Sequence, residues 1–156
     1  MDQDSPSRPA VAVPAPLITL LAIALGYGLN DLWPAELDPP LVLRVVGYLH
    51  NTAGGALMVW CFAIFMRKRT TIYPSRPVSA LVIAGPYKYS RNPMYVALAI
   101  IHLGVTMTSG VLWYAGTFAL STWLTQRFVI AAEERYLQKR FAESYRSYCA
   151  EVPRWF

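Results

Sequence analysis

The sequence is poor in the residues from which metal sites, disulfide scaffolds and soluble catalytic domains are built. It holds two cysteines and two histidines in 156 residues. Cys61 and Cys149 are too far apart for a zinc framework and too few for a disulfide scaffold, so they read as reduced structural thiols. Charge is equally scarce: 15% of the residues are Asp, Glu, Lys or Arg against 55% that are hydrophobic, and the mean hydropathy is positive. That balance argues against an ordinary soluble domain of this size and points to one small membrane domain. Acids are outnumbered 9 to 14, giving a formal charge of +5. The excess does not indicate a nucleic-acid partner, because the bases cluster beside apolar runs, as topology signals do. Residues 1–16 lack the basic n-region of a signal peptide and read as a loose arm, polar and then rich in Pro and Ala.

What the chain does have is a succession of apolar runs. Residues 17–33 predict a short spanning helix ending at Asn30-Asp31 and an interfacial Trp33. The connector from Pro34 to Pro40 is acidic, stiffened by proline and free of Lys and Arg, which marks the outer face. Residues 41–66 predict a second span, with Arg44 snorkelling near its outer end and a stop at Arg67-Lys68-Arg69. Its centre carries His50, Asn51 and Thr52, then Ala53-Gly54-Gly55-Ala56. The small residues suit close helix packing, and the polar ones should face protein or a cavity; His50 reads as a satisfied buried histidine rather than a catalytic one. From Arg67 to Arg91 the chain has Arg67, Lys68, Arg69, Arg76, Lys88 and Arg91 and no acid, which places this loop in the cytosol. Within it, residues 78–84 are a short apolar piece, re-entrant or interfacial. Residues 94–108 predict a third span, Ser109-Gly110 a tight outer turn, and residues 111–132 a fourth span.

The expected fold is therefore an all-α membrane protein in one domain, with about four transmembrane helices and both termini cytosolic. Residues 17–66 supply two spans, 67–93 the cytosolic loop, 94–132 a helical hairpin and 133–156 an amphipathic C-terminal helix extension.

Two stretches carry chemistry. Gly85-Pro86-Tyr87-Lys88-Tyr89-Ser90-Arg91-Asn92-Pro93-Met94-Tyr95 runs into the third span, with Asn92 as helix N-cap and Pro93 at the first helical position. The free N–H groups and positive dipole end, with Arg91 beside them, suit an anion; a plain capped helix start is the alternative. In the tail, Leu137, Phe141, Tyr145 and Tyr148 form one helical stripe, with Glu134 inside it and Glu133 at its edge. Arg127 and Gln126 stand seven residues before Glu134 and Glu133 and are expected to share their faces. A charge at the membrane end of a span calls for a partner and a cavity. Because the turn at Ser109-Gly110 is tight, Arg91 to Tyr95 and Glu133 to Leu137 should end side by side, so that one site holds both.

These residues match a pattern. Gly85-Pro86-Tyr87, Arg91-Asn92-Pro93-Met94-Tyr95 and Glu133-Glu134-Arg135-Tyr136-Leu137, followed by Phe141, Tyr145, Tyr148 and Val152-Pro153-Arg154, resemble the membrane methyltransferases of the isoprenylcysteine carboxyl methyltransferase and phospholipid methyltransferase superfamily. The resemblance covers Thr70 to the C-terminus; the first two spans carry no matching motif. It implies S-adenosylmethionine-dependent methyl transfer at the cytosolic face, a lipophilic acceptor arriving from the bilayer, and no metal. On that resemblance Arg91 and Glu134 are the expected catalytic or substrate-orienting pair. Tyr87, Asn92, Pro93, Tyr95, Glu133 and Leu137 are the expected cofactor-binding residues. The chemistry is compatible: the cofactor's carboxylate suits a helix N-terminus with Arg91, and its ammonium, ribose hydroxyls and sulfonium suit a carboxylate and aromatic faces.

The chain has no GxGxxG; Gly26-Tyr27-Gly28 lies inside the first span and reads as packing, which argues against a soluble-type methyltransferase fold. One position departs from the isoprenylcysteine enzymes. They carry His after the Arg, whereas Asn92 keeps a cap and a hydrogen-bonding side chain but no titratable group. The acceptor therefore stays open among an isoprenylcysteine-type carboxylate, a phospholipid amine and a small lipophilic amine or thiol. A non-catalytic membrane scaffold that binds anionic lipid through the basic loop and tail is the alternative. The expected location is the inner (plasma) membrane of a prokaryote.

Overall fold

The computed structural model describes residues 13–68 and 80–155. Most of the N-terminal arm and residues 69–79, with Arg69 and Arg76 of the basic loop, lie outside the described residues. The regular elements are α1 (Ala15–Leu32), α2 (Leu41–Arg67), a 3-10 turn (Gly85–Lys88), α3 (Pro93–Ser109), α4 (Trp113–Leu124), a π-helical turn (Thr125–Ile130) and α5 (Ala131–Glu151). Prolines place several of the starts. Pro14 and Pro40 precede α1 and α2 in extended conformation, and Pro93 opens α3 with its φ already helical.

Among the described residues, α1 and α2 are long and apolar enough to cross a membrane. At 1.5 Å per residue they extend about 27 and 40 Å, against a hydrocarbon layer of roughly 30 Å. The apolar α3 has 17 residues. The outward faces of α1 and α2 are themselves apolar, with Leu20, Leu21, Val42, Leu49, Val59 and Met66 exposed. A core alone therefore does not explain where the apolar residues go.

The helices meet through small residues. α2 packs most extensively on α3. A Cβ at Gly47 would lie 2.9 Å from the Gly104 carbonyl, and one at Gly54 would lie 2.9 Å from the Ala97 carbonyl. Where lipid removes the hydrophobic drive between helices, such backbone approach supplies the contact. Gly26 seats α1 on α4 in the same way, since a Cβ there would lie 2.5 Å from a ring carbon of Tyr114. The polar centre of α2 turns inward only in part: Thr52, expected to face protein or a cavity, is exposed and satisfies its hydroxyl on its own helix by donating to the Tyr48 carbonyl at 2.9 Å. His50 Nδ1–H donates to the Val46 carbonyl at 2.8 Å, and Asn51 Oδ1 is buried against Gly104.

At one end of the bundle the two connectors bind each other. Leu37 N–H donates to Gly110 O at 3.0 Å and Leu112 N–H to Ala35 O at 2.9 Å, an antiparallel bridge between Glu36 and Val111. Gly110 adopts φ 74° there, and a side chain would strike the Leu37 carbonyl. Arg44 is held at this end by Asp38 and by the Pro39 carbonyl.

The expected fourth span differs in detail. It begins at Trp113 and passes through the π turn before α5 starts, and a π turn rephases everything beyond it. The seven-residue registers linking Arg127 to Glu134 and Gln126 to Glu133 therefore do not hold. Arg127 is exposed, with its guanidinium 6.0 Å from the Phe128 ring centroid, and Glu134 has other partners. α5 also kinks at Ala142, whose φ is 41°, yet Tyr145 and Tyr148 beyond the kink remain buried.

Replacing Gly54 by Leu is expected to lower the thermal midpoint in detergent through overpacking, a cost of about 1–3 kcal/mol. Leu at Gly55, where a side chain meets open space, should leave it unchanged. The opposite ranking would contradict the α2–α3 interface.

Candidate active site

The 3-10 turn, the start of α3 and the first half of α5 converge at the end away from the Gly110 bridge. Gly85 sits in the left-handed region at φ 60°, close against Ile64 and Trp60 of α2. This presses Tyr87 inward, where its ring meets Phe65 edge-on at 5.6 Å and its carbonyl accepts the Tyr148 hydroxyl at 2.7 Å. Of the apolar piece at 78–84, residues 78 and 79 lie outside the described residues, and the part from 80 to 84 packs here. Val82 is buried beside Cys61, Ile64 and Tyr87, and Leu81 joins Tyr145 and Tyr148.

The next residues form a docking point for the tail. Arg91 N–H donates to Pro153 O at 3.0 Å, and Ser90 Oγ–H to Arg154 O at 3.3 Å. Asn92 is the N-cap residue, as its position predicts, but its side chain does not cap α3. Its amide donates to Arg154 O at 3.0 Å, while its own N–H is taken by Ser90 Oγ at 3.2 Å. The tail carbonyl has outcompeted the helix for that side chain.

The first turn of α5 brings the two carboxylates to the turn. Glu133 accepts the Tyr95 hydroxyl at 2.6 Å. Glu134 lies 3.4 Å from Arg91 Nη1, both side chains being less than one-fifth exposed, and is gripped by Arg154 through Nε at 3.0 Å and Nη2 at 2.5 Å. Arg91 also donates to Cys149 Sγ at 2.8 Å, while its Nε is buried without an acceptor. Burial opposes the Arg91 charge, but Cys149, Glu134 and Tyr145 outweigh it and hold the guanidinium above its ordinary value. Burial pushes the Glu133 carboxyl up. The Tyr95 hydrogen bond pulls it down and negative Glu134 adds to the rise, leaving it at about 7. Burial likewise raises Tyr145, and Tyr148 is pushed up to about 12.

A cavity of about 410 Å³ opens between these elements and α2. Tyr87, Arg91, Asn92, Tyr95, Glu133, Glu134 and Leu137 all line it. Pro93 is buried beside it and does not. His50 and Asn51 do not reach it either. Several lining residues are not singled out by the sequence. Tyr145 and Tyr148 stand on the recognised stripe, and Tyr136 in the quoted motif. Phe62 and Phe65 come from α2, where no motif is visible. A second, small cavity of about 20 Å³ lies behind Tyr95, against His102 and Ser121.

The known family described as phospholipid methyltransferase matches residues 42–144, which takes in α2, the turn, α3, α4 and the first half of α5. The chain belongs to that family. The match reaches further toward the N-terminus than the motifs do, and it includes the cavity-lining face of α2. Among curated relatives, the nickel-cobalt-cadmium resistance protein NccN of Alcaligenes xylosoxydans xylosoxydans is 28% identical, aligning with 96% of this chain and 72% of its own length. The cobalt-zinc-cadmium resistance protein CzcN of Cupriavidus metallidurans is 27% identical, over 96% of this chain and 64% of the relative. No solved structure matches the chain at a significant level.

The elevated Glu133 gives this phospholipid methyltransferase relative a pH signature. Between its ordinary value of 4.5 and about 7, the folded chain keeps a proton on Glu133 that the unfolded chain has lost. Stability should fall as pH rises through that window and level off above it. Glu133→Gln is expected to flatten that slope in thermal melts run across the window. A mutant curve parallel to wild type would mean that another group sets the slope.

Proposed function

We propose that this chain is an integral membrane methyltransferase that uses S-adenosylmethionine and modifies a lipophilic or membrane-associated acceptor at the cytosolic face of a prokaryotic inner membrane. In this reading α1, α2, α3 and the segment 113–130 cross the bilayer, with both termini in the cytosol. The observation that carries it is one cavity that gathers a guanidinium, two carboxylates and several tyrosines, with the buried Nε of Arg91 lacking an acceptor. The volume, about 410 Å³, falls within the roughly 300–1,000 Å³ of small-molecule sites.

When bound, S-adenosylmethionine supplies an activated methyl group on a cationic sulfur. Arg91, whose guanidinium lines the cavity, is the group for its carboxylate. The faces of Tyr87, Tyr145 and Tyr148 suit a cationic sulfonium. Phe62 and Phe65 of α2 give the cavity an apolar wall, fitting for an acceptor that arrives from lipid and for excluding water during an in-line displacement.

The two glutamates divide the remaining work. The sequence leaves the split between the two glutamates open, with only the position of Glu134 nearer the middle of the stripe leaning it toward the acceptor; we assign the two the other way round. Glu134 already serves two arginines, so it orients Arg91. Glu133, held near neutrality, suits the group that takes the proton from an amine, thiol or acid as it is methylated. The metals in the relatives' names are not carried over to this chain.

Isothermal titration of the purified protein with S-adenosylmethionine tests the reading. Binding is expected in the wild type, is expected to be lost in Arg91→Ala, and is expected to be weakened in Glu134→Ala, which removes the half-buried contact that orients Arg91. Glu133→Gln should retain binding and lose turnover. Folded wild-type protein that does not bind would leave the lipid-binding scaffold as the better account.

A further inference from the structure

Arg154 closes the Val152-Pro153-Arg154 stretch that the resemblance includes without a role and that lies past residue 144, where the family match ends, and its side chain occupies the carboxylate at the centre of the site. Glu134 has two oxygens. Arg154 takes one through Nε at 3.0 Å and the other through Nη2 at 2.5 Å. What is left to Arg91 is a single approach at 3.4 Å, with its own Nε buried and unpaired. The forked arginine–carboxylate contact is the strong form of this interaction, and a carboxylate offers it readily to one guanidinium at a time. Were Arg154 absent, Glu134 would be free to draw Arg91 into that fork.

The tail backbone is arranged to keep Arg154 in place. Val152 is buried with Tyr145 and Tyr148. The Pro153 and Arg154 carbonyls accept three hydrogen bonds from Ser90, Arg91 and Asn92, between 3.0 and 3.3 Å. Asn92 forgoes its helix cap to make one of them. The guanidinium of Arg154 thus reaches Glu134 from a segment tied to the same turn that carries Arg91.

Resting on the S-adenosylmethionine reading, we infer that Arg154 is a positioning residue: by occupying Glu134 it keeps the Arg91 guanidinium available for the carboxylate of the cofactor's amino-acid portion. It touches neither cofactor nor acceptor, and its effect passes through Glu134 to Arg91. A tail acting only as a mechanical strap would affect every ligand of the cavity alike, whereas this role is confined to ligands that carry the carboxylate.

The test compares S-adenosylmethionine with its decarboxylated form in titrations of the full chain. Arg154→Ala is expected to weaken the first about tenfold, the scale of one charge-assisted hydrogen bond, and the second less than about twofold. Arg154→Lys should recover part of the loss. Equal weakening of both ligands would overturn the inference in favour of a strap. A second readout uses no cofactor: the Nε–H resonance of Arg91 in nitrogen-15-labelled protein should shift in Arg154→Ala, and should not shift further when Arg154→Ala is added to Glu134→Gln. An Arg91 signal unchanged in Arg154→Ala overturns the inference whether or not the protein binds cofactor. Failure of the wild type to bind S-adenosylmethionine, by contrast, contradicts the functional reading itself.

Discussion

A carboxylate shared between two guanidiniums joins three parts of this chain that are far apart in sequence. Arg91 comes from the turn before α3, Glu134 from the first turn of α5, and Arg154 from the tail. In a protein with so little charge, placing three charged groups together at the edge of an apolar bundle is costly unless they neutralise one another. The surrounding structure serves that neutralisation. The Ser90–Asn92 turn anchors the tail, the burial of Val152 holds it down, and Gly85 brings the turn against α2 so that the cavity has a second wall.

The opposite end shows why such a site can be rigid without a large core. Helices whose outer faces are apolar gain little by packing on each other in lipid, so glycine contacts and a bridge between connectors do the holding. Gly47 and Gly54 set the α2–α3 approach, and the Glu36–Val111 bridge ties the α1–α2 connector to the α3–α4 connector. The site then needs only short polar loops on that frame, and the cavity forms where the frame ends.

Much of this was legible in the sequence. Apolar run lengths and proline positions gave the helices, because both act locally. The turn at Ser109-Gly110 implied that Arg91–Tyr95 and Glu133–Leu137 would meet, and seven of the eight residues singled out line one cavity. What was not legible came from competition between distant groups. The side chain of Asn92 had a good local use as a cap, and only the arriving Arg154 carbonyl, 3.0 Å away, diverts it. The π turn at Thr125–Ile130 leaves no mark in a helical periodicity, and it broke the expected registers of Arg127 and Gln126. Phe62 and Phe65 look like any lipid-facing phenylalanines until α2 is seen beside Tyr87.

The central claim is that the methyl donor sits where the Gly85–Asn92 turn meets the start of α5. Ultraviolet cross-linking of methyl-tritiated S-adenosylmethionine to the membrane-embedded protein, followed by peptide mapping, tests it most directly. The account predicts label in peptides containing Tyr87–Tyr95 or Glu133–Tyr148, displaced by excess unlabelled cofactor. Displaceable label confined to the His50–Gly54 region of α2 or to the end of the bundle around Gly110 would contradict it.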